Sequence, residues 1–523
     1  MARAPHSAEV LSAYFQNHSC DPFSPPSTPC ELGNYVSYSI NVSCVPDVIA
    51  GIKFAREKNV RLVVKNTGHE YVGSILCHVN TNLCLLGSFI GRSTARGALA
   101  LWTRNLKSID VISSYTSKYY NGPAVKIGAG VTGGDAAAAL SKIGYRMVGG
   151  MCPTVGAAGG YTQGGGHSML TGLYGLGADN ALEWEVVTTE GEHVIATPTQ
   201  NSDLYWALSG GGPGTYGIVI SLTTRLFKEG PIGGALFAFN ATTAGGEDAF
   251  WKAVDVFHSH LQPIVDSDGI IVTYRLTNPP TLLIDAITAP DRTADQVERI
   301  LAPLTSALTE LGLTKDKIGF TTDQTESYYK HWMTTVEPEL KENPSSHLVS
   351  GRFISRKDMR SNAHGIGQAI RKATANGHFG FVCNAINAQK NIIPPISENA
   401  VQPYWREALL SCIIASIWDW SIPFADMAGR QEEMTKVVDP LMKSVTPGSG
   451  AYLNEANVLE SDWQKEFYGS NHARLKEIKE KWDPKGLLYG ATSVGSESSH
   501  IDAEGRLCKN EHRHHHVPSH EDV

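Results

Sequence analysis

Length, composition and charge already limit what this chain can be. Its 523 residues exceed what one ordinary hydrophobic core supports, so we expect two domains or one domain with a large insertion. Charged residues make up only 18% of the chain and glycine occurs 51 times, which is typical of a compact, loop-rich enzyme. The net charge of −8 argues against a nucleic-acid partner, and no apolar run in the sequence is long enough to span a membrane.

The cysteines and sequons leave the cellular compartment open. Nine cysteines are too few for a disulfide scaffold, but Cys20 and Cys30 flank a proline-rich loop that they could close, or they could stay free. N-glycosylation sequons at Asn17, Asn41 and Asn240 would be used only in the secretory path. The first residues, MARAPHSAEV, lack the pattern of a secretory signal, so either the protein is intracellular or the start is incomplete.

From Asn34 to about Leu226 the sequence alternates short β-rich runs with helical ones. NYVSYSINV, RLVVKN and AVKIGAG predict strands, whereas DVIAGIKFAREKN and GDAAAALSKIG predict helices. Glycine-dense segments lie between these runs at 149–177 and 210–217, where the backbone must come close to another group.

After Leu226 the pattern changes. The runs GGALFAFN, GIIVTYRL, LLIDAITA, HLVSGRFIS and HFGFVCNAI predict separate strands among amphipathic helices, hence an antiparallel sheet with helices on one face. RLKEIKEKW predicts a last helix, ended by Asp483 and Pro484. From about residue 497 we expect an unstructured end, in which the HRHHH run is solvated and no metal site forms. The fold class is therefore α+β in two parts.

The first motif with chemical content is KNTGHEY, which directly follows the strand run RLVV. Thr67 and Gly68 suit a tight turn whose amides can face phosphate oxygens, and His69 stands at the apex of that turn. Taken alone, a single loop histidine is more often a packed or surface residue than a functional one.

The second motif, GGMCPTVGAAGGYTQGGGHS, spans Gly149 to Ser168. So many glycines give a backbone that can lie flat against a planar ligand, with the thiol of Cys152 aimed at it. The alternative is a buried, inert cysteine in a glycine-rich connection. The second motif favours a ligand more strongly than the first.

A third motif, DLYWALSGGGPGTYGIV, contains a dinucleotide-like spacing. Gly212, Gly214 and Gly217 match GxGxxG, but the run follows a helix and opens a strand, which is the reverse of the dinucleotide-binding context. No GxxxxGK[ST] loop is present either, so nicotinamide and nucleoside triphosphate ligands lose support.

The motifs TGHEY, CPTVG, GGGHS, DLYWAL and YLN together resemble the berberine-bridge-enzyme-like branch of the vanillyl-alcohol-oxidase flavoproteins, similar to fungal oxidases of the isoamyl alcohol oxidase type. The resemblance runs from about Ser19 to Ser496. It implies FAD bonded covalently through both His69 and Cys152, which would hold the ring and raise its reduction potential. It also implies a PCMH-type fold in which 1–226 and 452–523 form the FAD-binding part and 227–451 the substrate part, with the active site between them.

The resemblance extends to further cofactor contacts. Those positions are Lys65, Asn66, Thr67, Gly68, Val155, Gly156, Gly159, Gly160, Gly217, Val219 and Asn454. Val155 would line the place where oxygen meets the reduced ring, and a valine there, with no bulkier leucine, is similar to the oxidases of the family.

Two residues are candidates for the catalytic base. Because an unperturbed histidine has a pKa of about 6.5, His167 can accept a proton as hydride leaves, although it can equally be a packed loop histidine. Glu455, in YLNEA, is a carboxylate whose pKa desolvation can raise, or an ordinary glutamate at a helix start.

One segment departs from the family pattern. The residues SILCHVNTNLCLLGSFIG, numbers 74–91, separate Gly73 from Arg92, and deleting them restores GHEYVGRS. The segment is either a genuine surface loop or a short unspliced intron translated in frame. It lies next to His69, so it bears on how the cofactor is loaded.

The function that these expectations predict is oxidation of an alcohol or amine-like carbon of a small molecule. Hydride would pass to the flavin and electrons to molecular oxygen, giving hydrogen peroxide. The alternatives are a flavin dehydrogenase with another acceptor, a flavin with a purely structural role, and a secreted binding protein without flavin.

Overall fold

The computed structural model describes residues 25–69, 73–75, 89–267, 269–335, 347–390, 393–502 and 505–510, with backbone only for 73–75 and 89–91. Cys30 is disulfide-bonded. Cys20 lies outside the described residues, so the Cys20–Cys30 pairing stays a prediction.

The first part of the chain contains twelve described strands and four described α-helices. The strands are β1 Tyr38–Asn41, β2 Leu62–Lys65, β3 Gly73–Ile75, β4 Phe89–Gly91, β5 Leu99–Trp102, β6 Ile109–Thr116, β7 Asn121–Gly128, β8 Tyr145–Arg146, β9 Ala181–Val187, β10 His193–Ala196, β11 Ile218–Arg225 and β12 Phe227–Lys228. The helices are α1 Val45–Lys58, α2 Gly133–Ser141, α3 Thr171–Tyr174 and α4 Ser202–Leu208.

These strands form two principal sheets. One is parallel, in the order β1-β5-β2, and the other is antiparallel, in the order β10-β9-β11-β7-β6. Helix α1 begins where the Asp47 carboxylate accepts hydrogen bonds from the Ser43 and Cys44 amides, and it buries Val48 and Ile52 in the core beside the parallel sheet. The predicted strand, helix, strand order of this region is confirmed.

The middle of the chain contributes eight described strands and seven described α-helices. The strands are β13 Ile232–Leu236, β14 Ala238–Asn240, β15 Ile271–Thr277, β16 Thr281–Pro290, β17 Thr321–Thr325, β18 His347–Ser355, β19 Gly380–Ala385 and β20 Ala408–Ile417. The helices are α5 Ala241–Ala244, α6 Glu247–Val265, α7 Ala294–Glu310, α8 Tyr328–Thr335, α9 Arg356–Thr374, α10 Phe424–Glu433 and α11 Asp439–Val445.

All eight strands join one antiparallel sheet, in the order β17-β13-β16-β15-β19-β20-β18 with β14 beside β16. One face packs on helices, because Tyr274, Cys383 and Cys412 lie in the same core as Phe257 of α6. Cys383 and Cys412 pair directly across β19 and β20 and form a disulfide on that face. Side chains alternate along a strand, so their neighbours in sequence project from the opposite face.

The last helix, α12 His472–Trp482, ends at Asp483 as predicted. Lys479 on this helix is buried and donates to Asp483 Oδ2 at 2.5 Å and to the carbonyl oxygens of Thr215 and Leu488. These bonds hold the end of the chain against the first part.

The chain end differs from the expected unstructured tail. The strand β21 Ser499–Ile501 pairs antiparallel with β22 Leu507–Lys509, and His500 Nδ1 hydrogen-bonds to Asn510 at 2.7 Å. Backbone hydrogen bonds between these two strands therefore order a segment whose composition alone predicts an unstructured end. The HRHHH run lies outside the described residues.

The described ends of the segment 74–91, which departs from the family pattern, pair with each other as the strands β3 and β4. Gly73 lies opposite Gly91 in an antiparallel ladder, and Ile75 lies opposite Phe89. Its two ends are therefore neighbours in space. Across the described ranges, no helix is both long and apolar enough to cross a membrane.

Candidate active site

A cavity of about 380 Å³ lies between the glycine-rich segments and the face of the large sheet that is opposite Phe257 of α6. All but one of the predicted site residues line it. They are Asn66, Thr67, Gly68, His69, Cys152, Val155, Gly156, Gly159, Gly160, His167, Gly217, Val219, Asn454 and Glu455. The exception is Lys65, which does not line the cavity. Val64 and Asn66 on either side of it do, because alternate side chains of a strand point to opposite faces.

His69 and Cys152 meet at one hydroxyl group. His69 Nε2 lies 2.6 Å from Thr154 Oγ1, and Cys152 Sγ lies 3.5 Å from the same oxygen. Burial lowers the pKa of His69 to about 4, so the imidazole is neutral at pH 7 and keeps a nitrogen lone pair. Cys152 is a free, partly exposed thiol. The sequence did not single out Thr154, which holds the two side chains together.

The glycine-rich backbone approaches its neighbours too closely for a larger residue. A Cβ at Gly156 would lie 2.2 Å from Asn66 Oδ1, and one at Gly164 would lie 2.3 Å from Asn454 Nδ2. Asn454 Nδ2 in turn donates to the Gly160 carbonyl oxygen at 2.8 Å. The predicted Asn454 thus fixes the path of this backbone along the cavity.

The two candidate bases form one pair. His167 Nε2 lies 2.9 Å from Glu455 Oε1, and their side chains are 9% and 16% exposed. Burial lowers the pKa of His167, but the Glu455 carboxylate outweighs it through its charge and its hydrogen bond, so the pKa is raised above 6.5. The structure therefore joins two residues that the sequence offered as separate alternatives.

Tyr452, which is not among the predicted site residues, lies beside this pair. Its ring meets that of His167 edge to face at 5.5 Å, and its hydroxyl accepts hydrogen bonds from Asn454 Nδ2 at 2.7 Å and from the Gly166 amide at 3.2 Å. Burial raises the pKa of Tyr452, so the phenol stays protonated. The YLN motif, in which Tyr452 stands two residues before Asn454, is the sequence signal that could have identified Tyr452 as a site residue.

The position of Glu455 depends on a close approach between two backbones. A Cβ at Gly351 of β18 would lie 2.0 Å from the Glu455 carbonyl oxygen, so only glycine lets the C-terminal segment lie on the sheet at this point. Gly351 pairs with Ile413 of β20, a residue that lines the cavity.

We expect Gly351→Ala to slow substrate-dependent flavin reduction about tenfold while flavin content stays unchanged. The added methyl group must push the Glu455 segment away and loosen its hydrogen bond to His167, at a cost of about 1–3 kcal/mol in packing. Stopped-flow absorbance at the flavin band measures the rate. Gly380→Ala is the matched control on β19, because a Cβ there would meet its nearest atom at 3.4 Å. Equal slowing in both variants would contradict the explanation.

The large sheet supplies the opposite side of the cavity through Thr273, Val382, Asn384 and Ile413, which we call the sheet wall. Asn384 belongs to this wall, whereas Tyr274 packs on the helix side of the same sheet and Arg352 forms a buried ion pair with Glu466 at 2.6 Å.

Several polar atoms at the cavity lack protein partners. Asn66 Oδ1, Gln163 Oε1 and Glu455 Oε2 are buried and have no hydrogen-bond donor within the described part of the chain. Arg92 also lines the cavity, and its buried Nε has no acceptor among those residues, although another of its nitrogens, Nη2, donates to Thr492 Oγ1 at 3.2 Å. Buried polar atoms are seldom left unpaired, so this set is suited to a polar ligand with its own donors and acceptors.

Two family models match the segments that build this cavity. The FAD binding domain model matches residues 87–197, and the berberine and berberine-like model matches residues 451–495. The first range contains Cys152 and His167, and the second contains Tyr452, Asn454 and Glu455.

Relatives match nearly the whole chain. The VAO-type flavoprotein oxidase VAO615 of Thermothelomyces thermophilus is 43% identical over 509 residues, which are 96% of this chain and 83% of that protein. The bifunctional decalin synthase calF of Penicillium decumbens is 42% identical over 96% of this chain and 84% of its own length. The crystal structure of the VAO-type flavoprotein MtVAO615 from Myceliophthora thermophila C1 has a TM-score of 0.87 and 43% identity, over 97% of this chain and 88% of that one.

The matches confirm the fold class and the cofactor that the motifs indicate. FAD is the cofactor, and the protein is an enzyme that acts as an FAD-linked oxidoreductase. The chain belongs to the berberine-bridge-enzyme-like branch of the VAO-type flavoprotein family.

Proposed function

We propose that FAD is bound covalently through both His69 and Cys152, and that the enzyme oxidises an alcohol carbon with molecular oxygen as the electron acceptor. The observation that carries the first part is the shared Thr154 hydroxyl, which lies within reach of both His69 Nε2 and Cys152 Sγ. Two nucleophilic side chains that close together can bond nearby atoms of one planar ring. A neutral imidazole, which keeps a nitrogen lone pair, and a cysteine that is not held in a disulfide and can ionise to the thiolate are what such bonds require.

The residues around the cavity fit FAD. Asn66, Gln163 and Glu455 each present a buried oxygen that needs a donor, and the ring, ribityl and adenine groups of FAD carry such donors. Arg92 presents a buried Nε that needs an acceptor, for which a pyrophosphate is suited. Gly156 and Gly164 bring the backbone close without side chains in the way.

When bound, FAD supplies a two-electron acceptor that takes hydride from the substrate carbon and returns the electrons to oxygen. Overall, one alcohol and one molecule of oxygen become one carbonyl compound and one molecule of hydrogen peroxide. The alcohol carbon loses a hydride and its hydroxyl loses a proton, while oxygen gains two electrons and two protons, so the reaction balances. The residues of the chain must orient the alcohol and accept its hydroxyl proton.

We assign to His167 the role of accepting the hydroxyl proton of the alcohol. His167 is buried and lines the cavity, and the Glu455 carboxylate, which raises its pKa, would stabilise the imidazolium formed when it accepts a proton. Glu455 then acts as the partner that orients the ring and balances its charge.

Oxygen as the acceptor is supported by Val155, which lines the cavity three residues after Cys152 and leaves more room than leucine would. Stopped-flow reoxidation tests this assignment. Reduced enzyme mixed with air-saturated buffer should recover its flavin absorbance within seconds and produce hydrogen peroxide. Enzyme that stays reduced for minutes is a dehydrogenase with another acceptor.

A spectrum of the acid-precipitated protein tests the covalent attachment. A yellow pellet and a colourless supernatant are expected, because acid unfolds the protein but leaves histidyl and cysteinyl bonds intact. A yellow supernatant would show that FAD is held only by non-covalent contacts.

Deletion of residues 74–91 should leave the flavin-to-protein absorbance ratio unchanged or higher. Gly73 and Gly91 face each other in the β3–β4 ladder, so the remaining ends, Gly73 and Arg92, can be joined with little movement. Deletion of residues 511–523 is the control for a general effect of truncation. If removal of 74–91 alone lowers the ratio, the segment is part of the cofactor site and is not a retained intron.

A further inference from the structure

The sheet wall combines apolar and polar side chains in a fixed pattern. Val382 and Asn384 are two residues apart on β19, so they project from the same face, while Cys383 between them packs against the helices. Ile413 lies opposite Val382 in the ladder, and Thr273 lies opposite Asn384. The wall therefore consists of an apolar pair, Val382 and Ile413, and a neighbouring polar pair, Thr273 and Asn384.

The polar pair is internally bonded. Thr273 Oγ1 donates a hydrogen bond to Asn384 Oδ1 at 2.9 Å, and the two residues are 2% and 3% exposed. This bond fixes the plane of the Asn384 amide and occupies its oxygen. No described residue accepts a hydrogen bond from Asn384 Nδ2, and the surrounding protein does not fully enclose that nitrogen. It is thus a rigid, available donor on a cavity-lining side chain.

The charges around the cavity limit what this donor can meet. Apart from the two histidines, Glu455 and Arg92 are the acidic and basic side chains in the described lining. One carboxylate oxygen of Glu455 is bonded to His167, and one nitrogen of Arg92, Nη2, is bonded to Thr492. Neither belongs to the sheet wall. A charged group placed against the wall would lose its hydration without gaining a counter-charge, which is costly.

We propose that Asn384, held in place by Thr273, donates a hydrogen bond to an oxygen of a neutral, mainly hydrocarbon substrate whose apolar part lies on Val382 and Ile413. The proposal rests on the proposed function, because it assigns a substrate class to the same site. A neutral ketone, alcohol or ether oxygen meets the requirement, whereas an ammonium or a carboxylate group does not.

Calorimetric titration of the holoenzyme with four six-membered-ring probes tests the proposal. The probes are cyclohexanone, methylenecyclohexane, cyclohexylammonium and cyclohexanecarboxylate. We expect cyclohexanone to bind most tightly, and Asn384→Leu to weaken its binding about tenfold, since the leucine side chain has similar volume but no donor. Thr273→Val should weaken cyclohexanone binding in the same direction. Methylenecyclohexane has the same shape without the oxygen, so its binding should be unaffected by Asn384→Leu.

Ile413→Val is the matched control, because it removes one methylene group from the apolar part of the wall and should weaken cyclohexanone and methylenecyclohexane alike. Flavin spectra recorded on the same samples test the proposed function separately, since colourless protein would contradict that function and not this inference. The inference is overturned if cyclohexanone does not bind, if it binds the wild type and Asn384→Leu equally, or if either charged probe binds more tightly than the ketone.

Discussion

The double substitution His69→Ala/Cys152→Ala should release all flavin into the supernatant when the protein is precipitated with acid, whereas each single variant should give a yellow pellet. Each bond alone retains the ring through denaturation, and only loss of both leaves FAD held by reversible contacts. Absorbance of pellet and supernatant at the flavin band, normalised to protein, measures the result. Retained flavin in the double variant would require an attachment site at another residue.

The single variants should also differ from the wild type in solution. Cys152→Ala and His69→Ala should each lower the reduction potential of the flavin and slow its reduction by substrate, by about tenfold if roughly 1.4 kcal/mol of transition-state stabilisation is lost. Cys44→Ala, which removes an exposed free thiol, is the control. If Cys152→Ala changed neither the flavin spectrum nor the potential, Cys152 would be an ordinary loop thiol.

The cofactor side of the cavity was predicted from short motifs together with the family that they resemble. His69 and Cys152 each stand in a short glycine-containing motif whose turn chemistry is local, but the resemblance is what assigned both of them to one flavin ring. Lys65 was predicted as a cofactor contact on the same grounds and is not brought to the cavity, because the motif begins inside β2, where side chains alternate.

The substrate side depends on strand register, which a single sequence does not reveal. The strand β20 was missed, since ALLSCIIASI is mostly apolar, with two serines five residues apart, and lacks the alternation of a half-buried strand. With β20 unknown, neither the Ile413 position nor the Cys383–Cys412 disulfide could be predicted. His167 and Glu455 were both found, but their pairing joins residues 288 positions apart.

Removal of the proposed base should have the second large effect. His167→Ala should lower the rate of flavin reduction by about 10² to 10⁴, the usual contribution of general base catalysis, while the flavin stays covalently bound. His167→Gln is the companion variant, because it keeps a hydrogen bond to Glu455 but cannot take up the proton. Stopped-flow reduction under anaerobic conditions measures both. A reduction rate within about threefold of the wild type in both variants would exclude His167 as the base.

The pH dependence distinguishes a base from a merely structural histidine. His167 must be neutral to accept a proton, so the rate should be low in acid and rise with pH through the pKa of His167, which lies above 6.5. Glu455→Gln removes the charge that raises this pKa and leaves burial, which lowers it. The rising limb of the profile should therefore move to lower pH in that variant. Glu432→Gln changes an exposed glutamate paired with Lys436 and should leave the limb where it is. A limb that moves to higher pH in Glu455→Gln, or stays at the wild-type position, would show that the titrating group is not His167 paired with Glu455.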